Sequence, residues 1–140
     1  RAKLSDFGLS KVKSETTTTG TSNSSVGTLA WMAPELLSLK AVFSQASDVY
    51  ALGMVFWEIS TRKRPFQAAA SQEAIRAAVR EGEREDIPTS IPPFMSSLIA
   101  RCWAQRSQDR PPSRLIATEI MAIDTIDEPA QSDEYQYFSA

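Results

Sequence analysis

Residues 47–60 read SDVYALGMVFWEIS, and this stretch decides the fold. Apolar side chains stand on every side of a helix drawn through it, which in a globular protein indicates a helix that is buried all round. Ser47 offers an N-cap oxygen, and Asp48 stands where the helix dipole favours negative charge. We therefore predict one central helix with the other elements packed around it.

Three further helices are predicted downstream of this stretch. The first covers residues 71–81, after a turn at residues 64–66, with Ile75 and Val79 on one face and Gly82 as its stop. Proline pairs at residues 92–93 and 111–112 each begin another helix. Residues 124–140 are acidic and contain no basic residue, which predicts a flexible tail. The fold class is therefore mainly α.

Upstream of the central helix, residues 10–28 are dominated by hydroxyl side chains, since 11 of these 19 positions are Ser or Thr. Such a stretch has too little apolar surface to pack into a core, so we expect an exposed loop. Composition alone fits a simple flexible linker equally well.

Composition excludes several classes of function. The 140 residues suit one domain, and a net charge of −2 argues against a nucleic-acid partner or a polybasic membrane anchor. No stretch is long and apolar enough to span a bilayer. The absence of histidine excludes His-based catalysis, and the single cysteine excludes an internal disulfide and fits a reducing, cytoplasmic compartment. Because the sequence begins with Arg1 rather than Met, we expect it to be a processed product or part of a longer chain.

Six short strings follow one another in a specific order. They are SDFGLS at 5–10, GTLAWMAPE at 27–35, SDVYALG at 47–53, RPF at 64–66, CW at 102–103 and RP at 110–111. This order resembles the C-terminal lobe of a eukaryotic protein kinase catalytic domain, over residues 1–123. The resemblance implies an activation segment at 6–35, a helical subdomain at 36–123, an acidic tail at 124–140 and no N-terminal lobe.

The resemblance also assigns roles to the first string. It implies that Asp6 holds Mg²⁺ against the phosphates of ATP, since a hard divalent cation prefers carboxylate oxygen. Phe7 would set the active or inactive posture, and Gly8 would supply a hinge. Standing alone, Asp6 would be an ordinary turn residue before Gly8.

Four residues are matched to supporting positions of the family. Thr28 would contact the catalytic loop from the substrate floor, and Asp48 would accept backbone N–H groups of that loop. Glu35 and Arg110 resemble a buried ion pair that ties the end of the activation segment to the helices behind it. A surface position is the default for charged side chains, and a turn threonine is unremarkable. Trp57, Cys102 and Trp103 are interpreted as core.

The hydroxyl-rich loop occupies the position of the activation loop, where an added phosphate can pair with arginine and order the segment. The candidate phosphorylation sites are Thr16, Thr17, Thr18, Thr19, Thr21, Ser22, Ser24 and Ser25. The sequence does not select among them.

The resemblance implies a parent protein that transfers the γ-phosphate of ATP to protein substrates under upstream regulators. GTLAWMAPE is typical of Ser/Thr kinases, whereas the tryptophans resemble tyrosine kinases, and the mixture fits the tyrosine-kinase-like group with Ser/Thr specificity. Dual or Tyr specificity is the alternative. The glycine-rich loop, nucleotide-gripping Lys and catalytic Asp precede Asp-Phe-Gly in kinases and are absent here, so we expect the isolated chain to be inactive. A non-catalytic pseudokinase scaffold and an unrelated helical domain are the alternatives.

Two departures from the family pattern stand at 84–85 and 106–107. Arg84-Glu85 replaces an Arg-Pro pair, and Arg106-Ser107 replaces an Asp-Pro pair. We expect both to lie at the surface.

Overall fold

A computed structural model describes residues 29–124 of the chain, together with Lys3 and Ser5. The described part contains helices and no strand, as the mainly α prediction requires. The helices are α1 Gln45–Thr61, α2 Gln72–Glu81, α3 Pro93–Cys102 and α4 Ser113–Asp124, and 3₁₀ turns cover Leu29–Trp31, Pro34–Leu37 and Ser107–Asp109. Helix α4 thus includes Asp124, the first residue of the predicted tail, and residues 125–140 lie outside the described part.

Helix α1 begins earlier than its apolar pattern indicates. Its N-cap is Ser44, whose hydroxyl accepts the Ser47 N–H at 3.2 Å, while the Ser47 hydroxyl accepts the Ser44 N–H at 3.0 Å. The prediction that Ser47 is the N-cap is wrong, because this capping box makes Ser47 the third helical residue. Asp48 lies in the first turn, where a negative charge suits the helix dipole.

The prediction that α1 is buried on every side is wrong in part. Tyr50, Met54 and Trp57 are buried, but Val55 is 37% exposed and Ile59 is 69% exposed. Within the described part, α1 packs chiefly against α3 and the first 3₁₀ turn. The apolar pattern indicates which side chains favour burial. In the structure, however, α3 and the first 3₁₀ turn cover only part of the surface of α1.

Two clusters of buried side chains meet at α1. The larger contains Leu29, Ala33, Leu37, Tyr50, Met54, Trp57, Val79, Ile99 and Trp103. The smaller contains Val49, Leu98, Cys102 and Ile116. Trp57, Cys102 and Trp103 belong to the core as predicted. Residues 29–37, which include the end of the predicted activation segment at 35, are therefore anchored in the same core as α1, α2 and α3.

Helices α1 and α3 approach each other closely at Gly53. A Cβ atom at this position would lie 2.7 Å from the Cβ of Cys102 and 3.2 Å from the backbone N of Trp103. Real Cβ atoms are not found at such distances, so the contact requires glycine.

The predicted ends of the other helices are confirmed. Ser71 caps α2 by accepting the Ala74 N–H at 3.1 Å, and Gly82 ends it with φ 88° in the left-handed region. Proline stands at the start of α3, and α4 follows the second proline pair. No helix in the described part is long and apolar enough to cross a membrane.

Candidate functional site

Glu35 and Arg110, 75 residues apart in sequence, form a bidentate ion pair. The two guanidinium NH groups donate to the two carboxylate oxygens at 2.7 and 2.9 Å. The Arg110 side chain is completely buried, while that of Glu35 is 28% exposed. A fork of parallel bonds to one carboxylate fixes orientation as well as distance. The pair therefore fixes the 3₁₀ turn at Pro34–Leu37 against the segment that precedes α4.

The remaining donors of Arg110 are satisfied by backbone carbonyls. Its Nε donates to the Ala104 carbonyl at 2.9 Å, and its NH groups also donate to the carbonyls of Ala46 at 2.8 Å and Gln105 at 3.3 Å. These acceptors belong to the start of α1 and the segment after α3. One buried guanidinium thus joins three parts of the chain, which explains how a charge is tolerated inside the protein.

The ring of Tyr50 lies between two guanidinium groups. The central guanidinium carbon of Arg110 is 5.1 Å from the ring centroid, and that of Arg84 is 5.0 Å from it. Both distances fit cation–π attraction. Burial raises the pKa of Tyr50 even though both arginines oppose this, and its hydroxyl is buried with no partner among the described residues. The aromatic ring of Tyr50, rather than its hydroxyl, is therefore the part that contacts the two arginines.

The ionisation of Glu35 is set by opposing effects. Partial burial raises the pKa of its carboxyl group, but the Arg110 hydrogen bonds, its own backbone N–H and the nearby positive charges outweigh burial. The pKa of Glu35 is therefore lower than the usual 4.5. The Glu35 carboxyl group is therefore ionised at neutral pH.

Two further contacts hold residues 29–37. Arg80 of α2 donates to the Leu37 carbonyl. The indole Nε1 of Trp31 donates to Glu58 of α1 at 3.1 Å. Residues 29–37 are therefore fastened to α1, to α2 and, through Glu35, to the segment before α4.

The sequence did not single out Arg84 as part of this site, and the expectation that Arg84-Glu85 lies at the surface is wrong in part. Arg84 is half-buried and donates to the Trp103 carbonyl at 3.0 Å and to Gln105 at 2.6 Å. Glu85 accepts the Phe66 N–H at 2.5 Å.

The other predicted site residues are placed as follows. Asp48 is exposed on α1, and the catalytic loop that it is expected to contact is not in this sequence. Asp6, Phe7, Gly8 and Thr28 lie outside the described residues. The same holds for the candidate phosphorylation sites Thr16, Thr17, Thr18, Thr19, Thr21, Ser22, Ser24 and Ser25.

The described part contains no group of three or more His, Cys, Asp or Glu side chains that could hold a metal ion. The expected Mg²⁺ and ATP contacts therefore depend on Asp6, which the structure does not describe.

Comparison with known proteins agrees with the ordered motifs. The chain is 39% identical over 127 residues to the dual specificity protein kinase shkC of Dictyostelium discoideum, covering 90% of this chain and 24% of that protein. It is 35% identical over 111 residues to the serine/threonine/tyrosine-protein kinase HT1 of Arabidopsis thaliana, covering 79% and 27%. The chain thus spans about a quarter of the length of these relatives. Residues 1–120 match the family described as protein tyrosine and serine/threonine kinase, and the chain belongs to that family.

Proposed function

We propose that this chain is the C-terminal part of the catalytic domain of a protein kinase that transfers the γ-phosphate of ATP to Ser and Thr side chains of protein substrates, with Tyr as a further acceptor. Family membership over residues 1–120 supports the reaction class. The observation that carries the proposal is the buried Glu35–Arg110 pair, because it fixes the end of the activation segment to the helical body.

A fixed activation-segment end suits phosphoryl transfer. The reaction depends on positioning and on stabilising charge, with little covalent work for the protein to do. Residues 29–37 include most of the string GTLAWMAPE, which resembles the substrate floor of the family, and their contacts with α1 and α2 would keep that floor in one place. The acceptor hydroxyl would then be presented at a constant position.

The proposed contacts with ATP and Mg²⁺ depend on Asp6. Kinases of this family generally use ATP and Mg²⁺, and the metal neutralises charge on the phosphates. Asp6 matches the metal-binding carboxylate in the string SDFGLS. The glycine-rich loop, the paired Lys and the catalytic Asp would come from a longer chain that contains residues 1–140.

Regulation is proposed at the hydroxyl-rich stretch. One or more of the eight candidates between Thr16 and Ser25 would be phosphorylated in the active kinase. Phosphopeptide mapping of the active and inactive forms tests this. A loop without phosphate in the active form would overturn it. A cytoplasmic location belongs to the same proposal, since the only cysteine is buried as a free thiol.

The test of the proposed activity compares the kinase that contains this chain with its Asp6→Asn variant. We expect transfer of labelled phosphate from ATP to Ser and Thr peptides, with a smaller rate for the matched Tyr peptide and a near-complete loss in the variant. Asp109→Asn is the control, because Asp109 is an exposed residue in a long surface contact with Arg106 at 3.7 Å. It should retain full activity.

The alternative is a non-catalytic scaffold of the same fold. If the longer kinase transfers no phosphate and Asp6→Asn changes nothing, the scaffold reading replaces the catalytic one. Intact Asp6 favours the catalytic reading.

A further inference from the structure

Two neighbouring grooves lie beside α2 and the loop that precedes it. The proximal groove, about 290 Å³, starts at Leu29 and Ala30 of the activation-segment end. The distal groove, about 350 Å³, extends to residues 83–86. Both are lined by Phe66, Ala69 and Ile75. They therefore form one continuous surface from the substrate floor to the segment after α2.

The far edge of the distal groove is acidic. Glu83, Glu85 and Asp86 line it, and none of these carboxylates forms an ion pair with another described residue. Arg84 stands among them in sequence, but its guanidinium lies over the Tyr50 ring and donates to the Trp103 carbonyl. Arg84 also lines the distal groove, but its guanidinium is engaged in these contacts, and the three carboxylates give this edge a net negative charge.

The middle of the surface is apolar and shallow. Ala74 and Ala78 of α2 line the distal groove together with the partly buried Phe66 and Ile75. Small side chains on the helix leave room for an apolar side chain of a partner. Phe66 is held with φ 53° while its N–H is bound by Glu85, so the rim is fixed to the acidic edge.

We propose that the distal groove docks a basic segment of the protein substrate, at a distance along the substrate chain from the residue that is phosphorylated. The groove would take an apolar side chain over Ile75 and Ala78, with flanking Arg or Lys side chains against Glu83 and Asp86. Charge complementarity selects a basic occupant, and continuity with the proximal groove selects the substrate. This inference rests on the proposed kinase function.

The first test measures binding directly, without catalysis. The probe is a fluorescein-labelled peptide with a central leucine flanked by arginines, compared with a peptide that has glutamates in place of the arginines. We expect the basic peptide to bind the chain and the acidic peptide not to bind. The variant E83K/D86K should raise the Kd of the basic peptide roughly tenfold, since two attractive contacts become repulsive.

A matched control keeps the same change in net charge. E73K/E81K also reverses two acidic residues on or beside α2, but neither residue lines either groove. It should leave the Kd within about twofold. Absent binding of the basic peptide, or equal weakening by both double variants, would overturn the proposal.

The apolar part of the groove has its own pair of variants. Ala74→Gln places a longer side chain in the distal groove, whereas Ala77→Gln places it on the same helix at an exposed position outside both grooves. We expect Ala74→Gln alone to weaken the basic peptide. If the two variants bind the peptide equally, the docking segment does not occupy this groove.

The second test separates docking from catalysis in the longer kinase. A Ser peptide that carries the basic segment should have a lower KM than one that carries the acidic segment, and E83K/D86K should remove the difference without changing kcat. Equal KM values for both peptides would overturn the docking inference while leaving the kinase activity standing. If neither peptide is phosphorylated, the proposed activity fails, and the binding test still decides the docking site.

Discussion

Replacing Arg110 with alanine is the sharpest perturbation of this fold. The substitution removes two charge-assisted bonds to Glu35 and leaves three backbone carbonyls without their donor. It also removes one of the two cations over the Tyr50 ring. Because the Arg110 side chain has no exposed surface, water cannot readily replace these contacts. Breaking a buried pair from one side typically destabilises by about 3–5 kcal/mol, and we expect a loss of this size.

Arg101 provides a control with the same bond pattern at the surface. It donates to Glu119 through two NH groups at 3.0 and 2.5 Å, but its side chain is 39% exposed. Arg101→Ala should therefore leave the free energy of unfolding nearly unchanged, since water screens and replaces such a pair. The assay is urea unfolding followed by the fluorescence of the three tryptophans, which are Trp31 in the first 3₁₀ turn, Trp57 in α1 and Trp103 at the end of α3. A loss for Arg110→Ala no larger than for Arg101→Ala would refute the reasoning.

The pH dependence of the same variant gives an independent check. The pKa of Glu35 is lowered in the folded chain, so its contribution to stability is present above about pH 4.5 and is lost as the pH falls through the folded-state pKa. Wild-type stability should fall over this acid range partly because Glu35 takes up a proton. In Arg110→Ala that part of the acid loss should disappear. If the free energy of unfolding falls equally with acid in the wild type and in Arg110→Ala, Arg110 does not control the ionisation of Glu35.

Three further outcomes are expected. Gly53→Ala should lower the free energy of unfolding by about 1–3 kcal/mol, because the new Cβ would lie 2.7 Å from the Cβ of Cys102; an unchanged thermal melt would contradict this contact. Ser44→Ala should destabilise by about 1 kcal/mol in urea unfolding through loss of the capping box, and no change would return the N-cap to Ser47. Burial raises the pKa of Cys102 to about 11, so iodoacetamide at pH 8 should label it only when urea unfolds the chain; fast labelling of the folded chain would contradict its buried position.

Sequence patterns predicted the positions of the helices better than they predicted which faces of the helices are covered by other elements. The proline pairs, Ser71 and Gly82 act locally, and the structure places α2, α3 and α4 where these residues indicate. The N-cap of α1 was assigned wrongly because Ser44 and Ser47 are both good capping residues, and only the reciprocal bonds between them decide which one precedes the helix.

The candidate site was predictable only in part. The ordered motifs pointed to Glu35 and Arg110 as partners, but the carbonyls that surround Arg110 are main-chain groups and leave no signature in a sequence. Arg84 looked like a surface departure because its partners, Tyr50 and the Trp103 carbonyl, come from distant parts of the chain. The exposure of Val55 and Ile59 could not be predicted either, because an apolar pattern does not show which neighbouring elements cover a side chain.

Three of the arginines that join these segments share one type of acceptor. Arg80, Arg84 and Arg110 all donate to main-chain carbonyls, at Leu37, at Trp103 and at Ala46 and Ala104 respectively. Every amino acid carries such a carbonyl, so the acceptor positions can change identity without losing the bond, provided that the backbone keeps its path. The donor positions have no such freedom, because no other side chain supplies the same planar fork. Natural variation around these arginines should therefore be one-sided, with substitutions tolerated at Ala46 and Ala104, which lie outside both core clusters, and eliminated at the three arginines. Leu37 and Trp103 are constrained separately, by their burial in the larger core cluster.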